Sequence, residues 1–81
     1  MPTVYRLNGI KIDVYSRDHL PPHFQAIYGG DEVLLVIKTL KIYAGSLPTK
    51  QLNQVQKWAG NSKTKVFLMN NFYRLNPYLR K

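Results

Sequence analysis

The chain has 81 residues, no cysteine, and twelve Lys and Arg against four Asp and Glu, a formal charge of +8. That length allows one small domain, and the lack of cysteine excludes a disulfide framework and a thiolate metal cage. The basic excess suits an acidic partner, with nucleic acid first and an acidic protein second. The opening MPTVYRLNG holds neither an apolar leader core nor a small-residue cleavage site, and the longest aliphatic run covers only residues 33–37. No membrane association and cytoplasmic residence are therefore expected.

Residues 4–7 form a first strand candidate, Asn8-Gly9 is a strong two-residue hairpin signal, and residues 10–16 alternate with period two. The alternation assigns Ile10, Ile12 and Val14 to the core and Lys11, Asp13 and Tyr15 to a wet face. After the segment RDHLPPH, residues 23–28 read as a third strand, Gly29-Gly30-Asp31 as a second turn, and residues 32–37 as a buried fourth strand. Leu40, Ile42 and Ala44 alternate with Lys41 and Tyr43 in a short fifth strand, ended by Gly45 and Pro48.

Thr49 is the expected cap of a helix reaching about Ala59, with Leu52, Val55 and Ala59 inward, Trp58 beside them, and Gly60 as the stop. Ser62 is the expected cap of a second helix over residues 63–75, with Val66, Met69, Phe72 and Tyr73 at helical spacing and Pro77 closing it. Strands first and helices last define an α+β domain over residues 1–76: an antiparallel sheet of four or five strands with two short helices on one face. Residues 77–81 carry no pattern that obliges order and read as a tail.

RDHLPPH holds both histidines, His19 and His23. A helical pair at this spacing chelates metal, but Pro21 and Pro22 forbid the helix. An extended step of ~3.1 Å per residue sets the two backbones roughly 12 Å apart. With no third histidine and few carboxylates, no metal and no other cofactor is expected. Two readings of the segment remain open. In one, His19 or His23 acts as acid or base with Asp18 orienting a ring. In the other, Asp18, His19 and His23 bond the backbone of a stiff bend fixed by Pro21 and Pro22.

The opening through Phe24, and in particular Ser16, Asp18, His19, Pro21, Pro22 and His23 in a Ser-x-Asp-His-x-Pro-Pro-His motif, resembles a small bacterial family, the domain of unknown function numbered forty-one sixty. Many of its members read Pro-Pro-His-x-His, and Gln25 stands at the second of those histidine positions here. The resemblance implies a hairpin-led sheet, a capped helix after it, and a toxin-antitoxin-like pair with a small protein encoded alongside. It implies no particular reaction.

Three functions follow as expectations. The first is nucleic-acid binding, RNA or DNA, with Arg17, Lys38, Lys41, Lys57, Lys63, Lys65 and Arg74 on phosphates and Tyr5, Tyr15 and Tyr43 available to stack on bases. Lys63 and Lys65 oppose the dipole of the second helix, which an anion there would relieve. The second is a metal-independent ribonuclease using His19, His23 and Asp18. The third is an interaction module that pairs an edge strand or the last helix with an acidic neighbour or a second copy as a homodimer.

Overall fold

The structure, a computed structural model, describes residues 3–15 and 21–79. Five antiparallel strands run in chain order across one sheet: β1 (Thr3–Leu7), β2 (Ile10–Asp13), β3 (His23–Tyr28), β4 (Asp31–Val36) and β5 (Ile42–Gly45). Two helices follow, α1 (Thr49–Ala59) and α2 (Ser62–Leu75), and then a short 3-10 turn, Pro77–Leu79. This is the α+β architecture that the order of elements predicts.

The first hairpin follows from its turn. Asn8 and Gly9 both take positive φ, 48° and 81°, the pair of values that matches a two-residue turn to the twist of its strands. Leu7 is thereby set opposite Ile10 and Tyr5 opposite Ile12. Between Tyr5 and Thr3 the register shifts, so that Thr3 rather than Val4 faces Asp13. The bulge lets the Thr3 hydroxyl donate to Asp13 Oδ1 at 2.8 Å.

One face of the sheet supplies Ile10, Ile12, Val14, Phe24, Ala26, Val33 and Leu35, all buried, and the helices cover it with Val55, Ala59, Leu68 and Phe72. On the opposite face Lys11 and Tyr15 are half-exposed, and Asp13 is the residue that departs from the wet surface expected from alternation. Asp13 is fully buried and Gln25, its cross-strand partner, nearly so. Thr3 satisfies one oxygen of Asp13, Lys11 Nζ lies 3.5 Å from the other, and the Tyr15 hydroxyl donates to Gln25 Oε1. Oδ1 is thus hydrogen-bonded, whereas among the described residues Oδ2, buried without a hydrogen bond, is compensated by the Lys11 charge alone.

Other boundaries differ from expectation for local reasons. Leu40 belongs to the turn before β5: its φ is 61° and its amide bonds Val36 O at 2.7 Å, which closes a tight loop in the left-handed region. Thr49 is the first helical residue, preceded by Pro48, which makes no side-chain cap. The cap of α2 is Asn61, whose side chain accepts from the Lys63 amide at 2.9 Å, and Ser62 is already helical. On α2 the buried stripe is Leu68 and Phe72, with Met69, Tyr73 and Leu75 at its margins, while Val66 is 59% exposed. Beyond Asn76, Leu79 packs against the core, so the chain stays docked past α2. No helix among the described residues is long and apolar enough to cross a membrane.

Candidate functional site

Ser16 and, within the RDHLPPH segment, Arg17, Asp18, His19 and Leu20 lie outside the described residues, and with them two of the three residues of the candidate acid-base set. The rims on either side are described, and both are tied to the body of the domain. Before the segment, the Tyr15 carbonyl accepts from Asn76 Nδ2 at 2.8 Å. After it, the Pro22 carbonyl accepts from the Ile37 amide at 3.0 Å.

His23 is 4% exposed. Its Nδ1 lies 2.7 Å from the Pro21 carbonyl, which requires a proton on that nitrogen. The ring sits 5.5 Å from that of Tyr43 and 5.9 Å from that of Phe72. This is the geometry of a histidine holding a bend: it fixes the Pro21 peptide and fills space between β5 and α2. Among the described residues no three His, Asp or Glu side chains gather as metal ligands.

The candidate phosphate-binding cations are spread over the turn before β5 and the helical layer. Lys38, Lys41, Lys57, Lys63 and Arg74 are exposed. Arg74 donates to Asn71 Oδ1 at 2.9 Å one turn back along α2. Lys65 differs from the rest, because its Nζ donates to the carbonyls of Ile37 at 3.0 Å and Lys38 at 2.7 Å. It pins α2 to the end of β4. Lys65→Met is therefore expected to lower stability by about 1.5 kcal/mol, the low end of the range for hydrogen bonds to a charged group, because one of the two bonds is exposed. A drop in the urea midpoint at unchanged slope would register it, and an unchanged midpoint would show that the two bonds contribute nothing net.

Charge is divided unevenly along the chain. All four carboxylates, Asp13, Asp18, Asp31 and Glu32, precede Val33, whereas the chain from Val33 onward holds nine Lys and Arg and not one Asp or Glu. Among the described residues Lys11 pairs with Asp13, and none of the cations beyond Val33 takes part in an ion pair. The helical layer is thus a positive surface without internal neutralisation.

Next to that surface, three aromatic rings from three elements converge. Tyr5 of β1 stacks on Trp58 of α1 with centroids 4.9 Å apart and planes 15° apart. Phe67 of α2 stands edge-on to Tyr5 at 6.5 Å and 73°. With Lys63 and Thr64 on the rim, they line an open hollow of about 190 Å³. Sequence reasoning left out Trp58 and Phe67 as binding residues and placed Tyr5 without its partners. The available signal was the Asn8-Gly9 turn, since a two-residue turn pairs Tyr5 with Ile12 and so turns both to the helical side. Tyr15 and Tyr43 are elsewhere, Tyr15 bonded to Gln25 and Tyr43 beside His23.

A second apolar hollow of about 300 Å³ lies between the turn before β5 and α2, lined by Ile37, Lys38, Lys65, Val66, Met69 and Asn70.

Fold and surface together define a small five-stranded meander with a carboxylate-free, two-helix basic layer. Residues 9–72, from the first turn to the central core ring Phe72, match the family described as Domain of unknown function (DUF4160), and the chain belongs to that family. No curated protein and no solved structure matches it.

Proposed function

We propose that the protein is a nucleic-acid-binding module, RNA or DNA, acting within a toxin-antitoxin-like pair. The observation that carries the binding reading is the charge partition: nine cations and no carboxylate from Val33 onward, with Lys38, Lys41, Lys57, Lys63 and Arg74 exposed on the turn and helices of that part. Like charges collected on one small layer repel one another, and a polyanion relieves that repulsion while releasing its own counterions. Lys65 is set apart from this group because its ammonium is bonded to backbone carbonyls. The paired-gene setting rests on the motif resemblance alone. A ribonuclease built on His23 draws no support from a ring that is buried and bonded to Pro21.

Fluorescence anisotropy with a labelled oligonucleotide, titrated at several salt concentrations, tests the reading. With about four phosphate contacts, affinity for a single strand is expected to fall about 50-fold between roughly 50 and 200 mM salt. Lys57→Glu with Lys63→Glu should weaken binding and flatten that slope. The control is Arg6→Glu on β1, in the half of the chain that holds the carboxylates. No binding at low salt, or a flat salt response, would sink the proposal. An equal loss per charge from Arg6→Glu would show that bulk charge is being read rather than a helical surface.

A further inference from the structure

We infer that the hollow formed by Tyr5, Trp58 and Phe67 receives one unpaired nucleobase, which makes single-stranded nucleic acid the preferred ligand. The inference rests on the binding reading above and adds to it a place and a strandedness. Tyr5 is 44% and Phe67 38% exposed, although the domain has a closed core a few residues away in which Phe24 and Phe72 are buried. Trp58, stacked on Tyr5, also packs edge-on against Phe24 at 6.3 Å, so the platform is anchored to that core. Open aromatic rings fixed from three elements give a stacking surface that need not be organised when the ligand arrives.

The choice of occupant follows from the rim. An apolar side chain of a protein partner would also fill an apolar hollow, and most protein surfaces that a basic partner meets are acidic. Here the cation at the edge is Lys63, and Thr64 beside it offers a hydroxyl. A base against an aromatic ring with its phosphate held by a neighbouring ammonium is the arrangement that strand-tracking proteins use, and each stacked base is worth ~1–3 kcal/mol by alanine substitution. A paired base cannot present its face to such a platform, so duplexes are disfavoured. Stacking is indifferent to the sugar, so RNA and DNA are distinguished by experiment.

Trp58 is the only tryptophan in the chain, so its emission reports directly on the hollow. The experiment titrates the intact protein with oligouridylate and oligothymidylate of about ten nucleotides and with a duplex of equal length, at roughly 50 mM salt, following Trp58 emission and anisotropy together. The expected result is quenching of Trp58 by single strands and weaker, unquenched binding of the duplex. Phe67→Ala should weaken single-strand binding about 5- to 150-fold, with duplex binding unchanged, and Phe67→Tyr should restore it. Quenching in the wild-type protein needs no variant and so decides the matter even where Phe67→Ala folds poorly. Binding seen by anisotropy with unaltered Trp58 emission would overturn the inference and leave the nucleic-acid reading standing, whereas no binding by either signal would remove both. Quenching by polyglutamate but not by oligonucleotides would assign the hollow to an acidic protein and overturn the inference.

Discussion

Gly45→Ala is expected to destabilise the domain by about 3 kcal/mol, combining the ~1–2 kcal/mol of a left-handed L-residue with the cost of overpacking. Gly45 has φ 78°, and a Cβ placed on it would lie 2.3 Å from the Glu32 carbonyl oxygen. That oxygen cannot easily retreat, because it accepts the Ser46 amide at 2.9 Å, the bond that ends the β4–β5 ladder. Gly29→Ala supplies the control. Gly29 also has positive φ, 60°, yet nothing lies within 4 Å of the added carbon, so only the conformational cost remains, ~1–2 kcal/mol. Urea midpoints of the two variants separate contact from conformation, and equal losses would show that the Glu32 contact does not matter. For a domain of this size 3 kcal/mol is a large share of a total of roughly 4–12 kcal/mol.

Gly45 shows where sequence reading stops. The chain marks it as the end of a strand, and the strand does end there, but nothing in the string IYAG states that the residue leans on a carbonyl of β4. What is legible is whatever depends on near neighbours. Asn8-Gly9 announces a turn whose two residues need positive φ, and the period-two pattern of Ile10, Ile12 and Val14 marks the buried side correctly. Leu40 is the opposite case: its alternation with Ile42 and Ala44 suggests a strand, yet loop closure between Val36 and Lys41 places it in the left-handed region, where a bulky residue gives no warning.

The same division applies to the candidate site. Exposed lysines are readable as cations but not as a group, since Lys63 and Lys65, two residues apart, have different neighbours: one borders the aromatic hollow and the other caps backbone carbonyls across the domain. Spacing on α2 favours Val66 as a core residue, but the stripe is centred on Leu68 and Phe72, which turns Val66 outward. Where the sheet meets the helix decides that centre, and a helical repeat is the same whichever side it presents. His23 reads as possible chemistry because histidine titrates near neutrality, whereas its position at the start of β3, against Phe72 and the Pro21 carbonyl, is a matter of tertiary packing.

The residue that local pattern offers least reason to single out is Asn76, and its loss is expected to be second only to that of Gly45→Ala. Asn76 is fully buried and follows the last helical residue of α2. Its Nδ2 donates to the Phe72 carbonyl at 2.9 Å, closing the helix, and to the Tyr15 carbonyl at 2.8 Å, sixty-one positions earlier in the chain. Its Oδ1 accepts from the Tyr78 hydroxyl at 3.2 Å. One amide thus joins the end of α2, the 3-10 turn and the backbone that enters the histidine segment. Asn76→Ala removes the donor to the Tyr15 carbonyl, while the Phe72 carbonyl keeps the backbone amide of residue 76 at 2.9 Å, so a loss of about 2 kcal/mol and a fall in Tm on the order of 10 °C are expected. Asn76→Asp should be worse at neutral pH, because a carboxylate would face two carbonyl oxygens in place of a donor. If Asn76→Asp were instead as stable as the native protein in thermal and urea unfolding, the amide would not be the bond that holds the entrance of that segment to the helix.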